Sequence, residues 1–558
     1  MTSKFETKSA ESIVDIFEME GIKYVFGLPG SQILEVVDGV TRRDGMEFVG
    51  TRHEQAAAFM AEGYARATRG LGVCLSTVGP GATNLVTGVA SAYKGYVPVL
   101  ALTGKHARWQ QERNTFQEID QKELFDPITR YSRMATEPGD LPKLTRKAFR
   151  LMASNPRGPA HLNLPKDTQT QSLDEPTLPR SAYHTSGAVE PSDDAVESVV
   201  DRIGEADTPV LLAGYDVVWE DATDELGDLA EALSAPVVTS CFHPDAFPTT
   251  HDLAMGSIGP GYWESANSVV AEADLVVAIG AHFDFLSTHF GDRIIPEAAD
   301  KIQIHSDPAN VSAVYPLEVG FTCDVTPFLQ GALEYVGETS TAWDKGDLLT
   351  RKQSWFDERA QDADMEGSPV HPATTVRIVR NVAPEETRFT IDGGNFLKHV
   401  IRQLDIAAPN TYINNANFGT VGSAFPLALG AGIAVDDPVV CLAGDGGMAL
   451  NVQELETAAR ESIPVTVVVF NDYGMGNVRS YQKYVYEERY TGVDFAEQDF
   501  ATIAKGFGVE GRHVDTPEAA RTALEEGMAH DGPFVVNVHT DAGALEPPVF
   551  MQDDGEDE

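Results

Sequence analysis

The sequence predicts an α/β protein built from three doubly wound parallel-sheet domains. Apolar runs of about four to eight residues, typical of buried strands, alternate with helix-period segments along most of the chain. Because strand–helix–strand crossovers are almost always right-handed, this alternation favours parallel sheets with helices on both faces. The chain has 558 residues, more than one hydrophobic core usually accommodates, so several domains are expected.

The predicted domain boundaries lie in polar stretches. Residues 1–180 form the first domain, 190–345 the central domain and 365–550 the third domain, followed by an acidic tail at 551–558. A passage rich in Pro, Ser and Thr at 167–191 leads out of the first domain. A highly charged segment at 345–368 reads as a helix plus linker before the third domain.

Each domain contains several predicted strands. In the first domain they lie at 24–26, 47–49, 72–77 and 97–103 and within 157–165. In the central domain they lie at 209–213, 236–239, 275–280 and 301–305. In the third domain they lie at 389–392, 439–443, 465–470 and 534–538, with a Gly/Ala-rich helical region at 419–434.

Residues 439–477 carry the strongest functional signal. Asp445 leaves one predicted strand and Asp472 leaves the next, and parallel strands end at the same edge of a sheet. Glycines 444, 446 and 447 lie at the start of the intervening helix, where backbone N–H groups bind phosphate. Two carboxylates beside such a turn predict a site for a hard cation paired with a phosphate.

The same turn also fits another reading. Residues 444–449, Gly-Asp-Gly-Gly-Met-Ala, resemble the dinucleotide fingerprint, with Asp472 as its ribose acid. An oxidoreductase that uses nicotinamide or flavin therefore remains an alternative. The carboxylate between the first two glycines counts against it, because it would meet a pyrophosphate. The acid also falls later than the usual ~20 residues.

Glu54 is the most informative residue of the first domain. It lies just past a predicted strand and begins a helix of small residues. Taken alone, an acid at that position usually stabilises the helix N-terminus by ~0.3–1 kcal/mol and has no other role. A catalytic role depends on what the third domain binds.

Composition excludes several classes of protein. The net charge is −44, from 85 acidic and 41 basic residues, so the surface should repel nucleic acid and anionic membranes. Such a surface is typical of halophilic proteins from a salt-loaded cytoplasm, where the Debye length is short. Four widely spaced cysteines without a CxxC pair, no signal peptide and no membrane-length apolar run predict a cytoplasmic protein.

Several motifs resemble one family. Gly444-Asp-Gly446, followed after a gap by Asn471-Asp472, resembles the metal–diphosphate motif of thiamine diphosphate enzymes. Residues 52–57, Arg-His-Glu-Gln-Ala-Ala, resemble the glutamate segment of that family. The resemblance spans about residues 8–541 and implies pyrimidine, central and diphosphate domains. It is closest to the catalytic (large) subunit of acetolactate synthase, through residues 27–30, 116–118, 158–166 and 451–455.

This resemblance implies roles for individual residues. Asp445 and Asp472 would hold Mg²⁺ by their side chains and Gly474 by its carbonyl group. Glu54 would share a proton with the pyrimidine ring of the cofactor, and Gln117 would lie near the substrate, which makes these two the candidate catalytic residues. Val421 would support the bent cofactor. The full set of implied cofactor-binding residues is Asn84, Gly394, Asn395, Val421, Gly444, Gly446, Gly447 and Met475.

The implied activity is carboligation of 2-oxo acids, as in branched-chain amino acid biosynthesis. Pyruvate would lose CO₂, and its two-carbon unit would pass to a second 2-oxo acid. Ser31, Tyr481 and His282 depart from acetolactate synthases. They favour an alternative, a non-oxidative decarboxylase or carbon–carbon lyase that resembles benzoylformate decarboxylase.

The resemblance also implies partners and leaves one cofactor open. Glu54 and the metal motif lie in different domains, so an active site would join two subunits of a homodimer or homotetramer. A regulatory small subunit remains open. The central domain resembles a flavin-binding segment, but His282 stands where an arginine is expected after Gly280. FAD therefore remains an open alternative.

Overall fold

The structure contains three six-stranded sheets, and every strand pairing within them is parallel. It is a computed structural model that describes residues 8–173, 178–185, 187–337, 341–548 and 551. Helices lie between the strands of each sheet, which confirms the predicted α/β class with three doubly wound domains. The predicted acidic tail at 551–558 lies outside the described residues except for Met551.

The first sheet has the strand order β2-β1-β3-β4-β6-β5. Its strands are β1 (Tyr24–Gly27), β2 (Glu47–Gly50), β3 (Gly72–Ser76), β4 (Val99–Lys105), β5 (Tyr131–Met134) and β6 (Ala160–Pro165). Its helices are α1 (Glu11–Glu20), α2 (Leu34–Thr41), α3 (Glu54–Thr68), α4 (Pro80–Lys94), α5 (Gln121–Phe125), α6 (Asp140–Ala153) and α7 (Lys166–Thr170).

The central sheet has the order β12-β11-β10-β7-β8-β9. Its strands are β7 (Pro209–Ala213), β8 (Val237–Thr239), β9 (Ala254–Ser257), β10 (Leu275–Ile279), β11 (Asp300–His305) and β12 (Val319–Thr322). Its helices are α8 (Asp193–Glu205), α9 (Tyr215–Glu220), α10 (Thr223–Leu233), α11 (Glu264–Ala271), α12 (Phe285–Thr288) and α13 (Val325–Tyr335), and α14 (Lys345–Ala363) leads to the third domain.

The third sheet, β14-β13-β15-β16-β18-β17, repeats the strand order of the first. Its strands are β13 (Arg388–Ile391), β14 (Tyr412–Asn414), β15 (Val439–Gly444), β16 (Val465–Asn471), β17 (Glu510–Val514) and β18 (Phe534–His539). Its helices are α15 (Pro372–Val382), α16 (Phe396–Gln403), α17 (Ala424–Ala434), α18 (Asp445–Leu450), α19 (Leu455–Glu461), α20 (Gly476–Tyr484), α21 (Phe500–Gly506) and α22 (Pro517–Met528).

The three sheets occupy residues 24–165, 209–322 and 388–539. These ranges fall within the predicted domain limits, which remain a prediction. In the third sheet the strand order changes direction between β13 and β15, and ligands of open α/β sheets bind outside the carboxyl ends of strands at such a point.

The first and third domains of one chain pack through helices α3 and α17. A Cβ atom placed on Gly63 of α3 would lie 2.1 Å from the carbonyl oxygen of Leu427. A Cβ atom on Gly430 of α17 would lie 2.0 Å from the carbonyl oxygen of Met60. Glycine at these two positions therefore lets the helix backbones approach closely, and side chains from both helices join one apolar core.

All four cysteines are buried as free thiols. Within the described ranges, no helix is both long enough and apolar enough to span a membrane.

Candidate active site

The two predicted metal-binding carboxylates lie at one edge of the third sheet. Strands β15 and β16 are parallel neighbours, with Gly444 opposite Phe470, so Asp445 and Asp472 leave the sheet side by side. Asp445 is only 4% exposed. Its Oδ2 atom accepts a hydrogen bond of 2.9 Å from the N–H group of Gly474. The structure therefore brings the three predicted metal-binding residues together.

These carboxylates carry negative charge that the protein compensates only in part. Burial, together with the nearby charge of Asp472, raises the pKa of Asp445 to about 7. Burial also raises the pKa of Asp472 to about 6, although the guanidinium of Arg479, 3.3 Å away, acts in the opposite direction. A divalent cation between the two carboxylates would relieve this repulsion.

The available ligand atoms are oxygens, which suit Mg²⁺. Among the residues that the structure describes, no group of three His, Cys, Asp or Glu side chains could hold a metal ion. Backbone carbonyls, phosphate or water would complete the coordination of a cation held by these carboxylates. The residues present thus fit a cation that is shared with a bound diphosphate, as predicted from the sequence.

A cavity of about 180 Å³ opens beside the two carboxylates. Its walls come from the ends of β13, β15 and β16 and from the loop before α17. All the described residues that line it lie between 372 and 544. They include every predicted metal- and cofactor-binding residue of the third domain, namely Gly394, Asn395, Val421, Gly444, Asp445, Gly446, Gly447, Asp472, Gly474 and Met475.

Asp392 fixes the shape of this cavity, a role that the sequence analysis did not assign. The carboxylate accepts hydrogen bonds from the N–H groups of Gly393 at 2.9 Å and Gly422 at 2.9 Å. It therefore holds the loop that carries Val421 against the end of β13. A Cβ atom on Gly447 would lie 2.1 Å from Asp392 Oδ2, so only glycine fits there. Burial raises the pKa of Asp392 to about 7.

Asn395 lines the cavity, but its side chain holds the chain near residue 545. Its amide nitrogen donates to the carbonyl oxygen of Ala544 at 2.9 Å, and its amide oxygen accepts from the N–H group of Glu546 at 3.2 Å. Asn395 thus positions the segment that closes one side of the cavity. Its predicted contact with the cofactor remains a prediction.

The predicted residues of the first domain gather around the turn before α4. Glu54, the first residue of α3, is 5% exposed, and its Oε2 atom accepts a hydrogen bond of 2.9 Å from Asn84 Nδ2. A Cβ atom on Gly81 would lie 3.1 Å from Glu54 Oε1. Gln117, which has a positive φ of 66°, packs its carbonyl oxygen against Gly79. Glu54 and Gln117 therefore both lie against the N-terminal end of α4, the segment at 79–84 that also carries Asn84.

A residue of the third domain positions the start of α3. Glu454 is fully buried and accepts hydrogen bonds from the N–H groups of Arg52 at 3.1 Å and His53 at 2.9 Å. It also accepts one of 2.7 Å from the hydroxyl of Thr457. From the sequence, segment 451–455 shows a family resemblance but no individual role for Glu454. The contact joins residues that lie about four hundred positions apart, so no local pattern predicts it.

The central domain does not offer a dinucleotide site at the point where its strand order reverses, between β7 and β10. The buried Asp216 occupies this crevice and accepts hydrogen bonds from the N–H and hydroxyl groups of Ser306, at 2.9 and 2.8 Å. A Cβ atom on Gly214 would lie 2.6 Å from the backbone of Ala281. The chain's own carboxylate therefore lies where a pyrophosphate would bind, and the residues here do not fit FAD.

His282, noted in the sequence for replacing an arginine, belongs to the contact between the first and central domains. Its ring stacks on Tyr96 with centroids 5.3 Å apart and packs against His305 at 4.6 Å. Burial and the neighbouring histidines hold the pKa of His282 well below its usual value. It is therefore a neutral packing group.

Comparison with known proteins gives consistent results along the whole chain. Family models of thiamine pyrophosphate enzymes match three segments: the N-terminal TPP binding domain at residues 7–124, the central domain at 196–332 and the C-terminal TPP binding domain at 392–538. A probable acetolactate synthase large subunit of Methanocaldococcus jannaschii is 33% identical over 97% of this chain and 93% of that protein.

Two further relatives are also acetolactate synthase large subunits. The acetolactate synthase large subunit of Corynebacterium glutamicum is 33% identical over 95% of this chain and 86% of its own length. The isozyme 3 large subunit of Escherichia coli is 30% identical over 93% of this chain and 92% of its own length. Among solved structures, a thiamine diphosphate-dependent 4-hydroxybenzoylformate decarboxylase of Rhodococcus jostii has the same fold. It matches with a TM-score of 0.85 at 24% identity, covering 96% of this chain and 99% of that one.

Proposed function

Since this chain belongs to the thiamine pyrophosphate (thiamine diphosphate) enzyme family, we propose that it is a Mg²⁺-dependent carboligase of 2-oxo acids that resembles acetolactate synthase. The observation that carries this proposal is the pairing of two carboxylates, the buried Asp445 and the partly buried Asp472, at the rim of a glycine-walled cavity. The names of relatives that match nearly the full chain support the carboligase assignment. Its role would belong to branched-chain amino acid biosynthesis.

In the third domain, Asp445, Asp472 and the carbonyl group of Gly474 would hold the Mg²⁺ ion. Backbone N–H groups of the surrounding glycines would bind the diphosphate. When bound, thiamine diphosphate supplies a nucleophilic carbon for the 2-oxo group and accommodates the negative charge left after decarboxylation. Val421, which lines the cavity, would contact that group and orient it.

In the first domain, Glu54 holds a proton at the pyrimidine nitrogen of the cofactor. Asn84 orients this carboxyl group by donating a hydrogen bond to it. Because Glu54 is buried, this contact would be shielded from solvent. Gln117 lies beside the substrate and binds its oxygen atoms.

We place the complete site between two subunits, in a homodimer or homotetramer. The described residues lining the third-domain cavity come from one domain alone, whereas Glu54 and Asn84 lie in the first domain. A second copy supplies the missing half. A regulatory small subunit is proposed as a further partner because several relatives are named large subunits. The buried free thiols support a reducing cytoplasm as its location.

The proposal is tested by replacing Glu54 with Gln in purified protein kept in molar salt. The loss of proton transfer should reduce turnover of pyruvate by a factor of about 10² to 10⁴. The thermal midpoint without cofactor should not change. Glu47→Gln, an exposed acid at the start of β2, is the matched control. Equal activity of the Glu54 variant and the control would refute the role of Glu54.

Dependence on the cofactor is measured separately. Thiamine diphosphate with Mg²⁺ should raise the thermal midpoint of the wild type, and Asp445→Asn should abolish that increase. If the thermal midpoint of the wild type does not change when thiamine diphosphate and Mg²⁺ are added, the assignment of the third-domain cavity is refuted.

A second candidate function is decarboxylation or carbon–carbon lysis of a 2-oxo acid without carboligation. Tyr481, which is 38% exposed on helix α20, stands where acetolactate synthases usually have tryptophan, and it favours this outcome. The two reactions differ in whether a proton or a second carbonyl compound reaches the bound two-carbon unit. Mass spectrometry of the products from pyruvate decides between them, because acetaldehyde without acetolactate would refute carboligation.

A further inference from the structure

A second cavity, here called the side cavity, lies between the central and third domains. Its volume is about 260 Å³, and a cavity of ~150 Å³ is already large enough to hold benzene. It lies outside the carboxyl ends of β8 and β10 on one side and of β13 and β14 on the other. The apolar side chains that line it include Phe242, Phe285, Leu286, Leu397, Ile401 and Tyr412.

The walls of the side cavity differ in exposure. Phe285 is 47% exposed and forms part of the rim. Ile401 and Tyr412 are buried and form the inner wall. Aromatic rings at both the rim and the inner wall offer edge and face contacts to a planar apolar group. The apolar side chains thus run from the rim to the inner wall, while the polar residues Asp392, Asn414, Asn415 and Asn417 line the side that carries Gly393 and Gly419.

The side cavity adjoins the cofactor cavity directly. Gly393 and Gly419 line both. A Cβ atom placed on Gly419 would meet nothing within 4 Å, and one on Gly393 would meet only the carbonyl oxygen of Gly419, at 3.8 Å. The space beside these two glycines is therefore open where the two cavities meet, so a molecule bound beside the cofactor can extend into the side cavity.

Resting on the proposed function, we infer that the side cavity binds the apolar side chain of a reacting 2-oxo acid, with room for a phenyl group. The carboxylate and oxo group of that acid stay on the cofactor side, because burying a carboxylate among Phe and Leu side chains is costly. The substrate class therefore includes aryl-substituted 2-oxo acids and is not limited to pyruvate.

The experiment compares Leu286→Trp, which fills the side cavity, with Leu349→Trp. Leu349 is 37% exposed on α14 and serves as the matched control. Two readouts are used in the full-length protein in molar salt. The first is binding of toluene, an unreactive probe, by calorimetry. The second is kcat/KM for pyruvate and for phenylglyoxylate in the presence of thiamine diphosphate and Mg²⁺.

Toluene should bind the wild type and the Leu349 variant with equal affinity. Its affinity for the Leu286 variant should be at least tenfold lower. For phenylglyoxylate, Leu286→Trp should reduce kcat/KM at least tenfold, since a mismatch of even one methylene in an apolar pocket costs about 10- to 200-fold. For pyruvate it should change less than twofold. If Leu286→Trp does not fold, Phe285→Ala should instead raise kcat/KM for acids larger than phenylglyoxylate.

Equal effects of Leu286→Trp on both acids, or no effect on phenylglyoxylate, would overturn the inference while leaving the proposed function intact. A yellow flavin that copurifies with the wild type and is lost in Leu286→Trp would also overturn it. Absence of turnover of any 2-oxo acid by the wild type would instead refute the proposed function.

Discussion

Replacing Gly63 with Ala should separate the first and third domains of the chain. The new methyl group would lie 2.1 Å from the carbonyl oxygen of Leu427, closer than real Cβ contacts by about 1 Å. Since the contact is with backbone, trimming the Leu427 side chain cannot relieve it, and helices α3 and α17 must move apart. The reciprocal contact of Gly430 with Met60 lies on the same interface and loses its fit as well.

The expected magnitude follows from packing. Overpacking a well-filled core typically costs 1–3 kcal/mol, and a gap of 0.5–1 Å elsewhere in the interface removes a quarter to a half of each dispersion contact. We therefore expect the upper part of this range, about 2–3 kcal/mol. For a domain of this size that is a fall in the thermal midpoint of roughly 4–12 °C. Because α3 begins with Glu54, affinity for thiamine diphosphate should fall as well.

The assay is thermal unfolding by circular dichroism in molar salt, with calorimetric titration of thiamine diphosphate in parallel. Gly506→Ala is the matched control, because Gly506 is also helical and a Cβ atom there meets nothing within 4 Å. Its midpoint should stay the same or rise slightly, since alanine favours a helix. If Gly63→Ala and Gly506→Ala melt at the same temperature, close backbone approach of the two helices is not what joins these domains.

Three further predictions concern charges. Glu454→Gln should destabilise the protein by about 1.5–3 kcal/mol, because it removes charge-assisted hydrogen bonds to the backbone just before Glu54. Its thermal midpoint and cofactor affinity should both fall, whereas the half-exposed Glu456→Gln should change neither. Burial raises the pKa of Asp245 from 3.8 to about 7, so its folded form keeps a proton that the unfolded chain has released. The wild type should therefore lose stability relative to Asp245→Asn as pH rises from about 4 to about 7, and a difference in midpoint that is flat with pH would contradict this. Lowering salt from ~1 M to ~0.1 M lengthens the Debye length from ~3 to ~10 Å. With a net charge of −44, the oligomer should dissociate and lose activity together, as followed by light scattering; an intact, active oligomer in dilute buffer would show that the acidic surface has no such effect.

The sequence by itself determined the interior of each sheet. Strands β15 and β16 are continuous apolar runs that are buried on both faces, and such runs are recognisable without knowledge of their partners. Because parallel strands end at one edge, the same reasoning placed Asp445 beside Asp472. The glycines that border them follow from the need for free backbone N–H groups at a phosphate.

The edges of the sheets were decided by tertiary structure. Five of the six edge strands, β5, β9, β12, β14 and β17, were not predicted from the sequence, whereas the sixth, β2, was predicted at 47–49. β14 has only three residues, and β17 mixes exposed with buried positions, so neither shows a strong apolar pattern. Edge strands owe their conformation to pairing with a single neighbour, and β9 and β14 are buried by the elements packed around them, not by a pattern of their own.

The contacts that shape the site were also decided only by tertiary structure. Asp392 reaches the loop at Gly422, and Glu454 holds the backbone of His53 across domains. Gly63 allows the carbonyl group of Leu427 to approach α3. Each contact depends on how two helices or loops are placed after their domains have folded, and residues so far apart in the chain leave no periodic signal. The sequence therefore specified the chemical groups of the site, whereas the packing of domains determined how those groups are held.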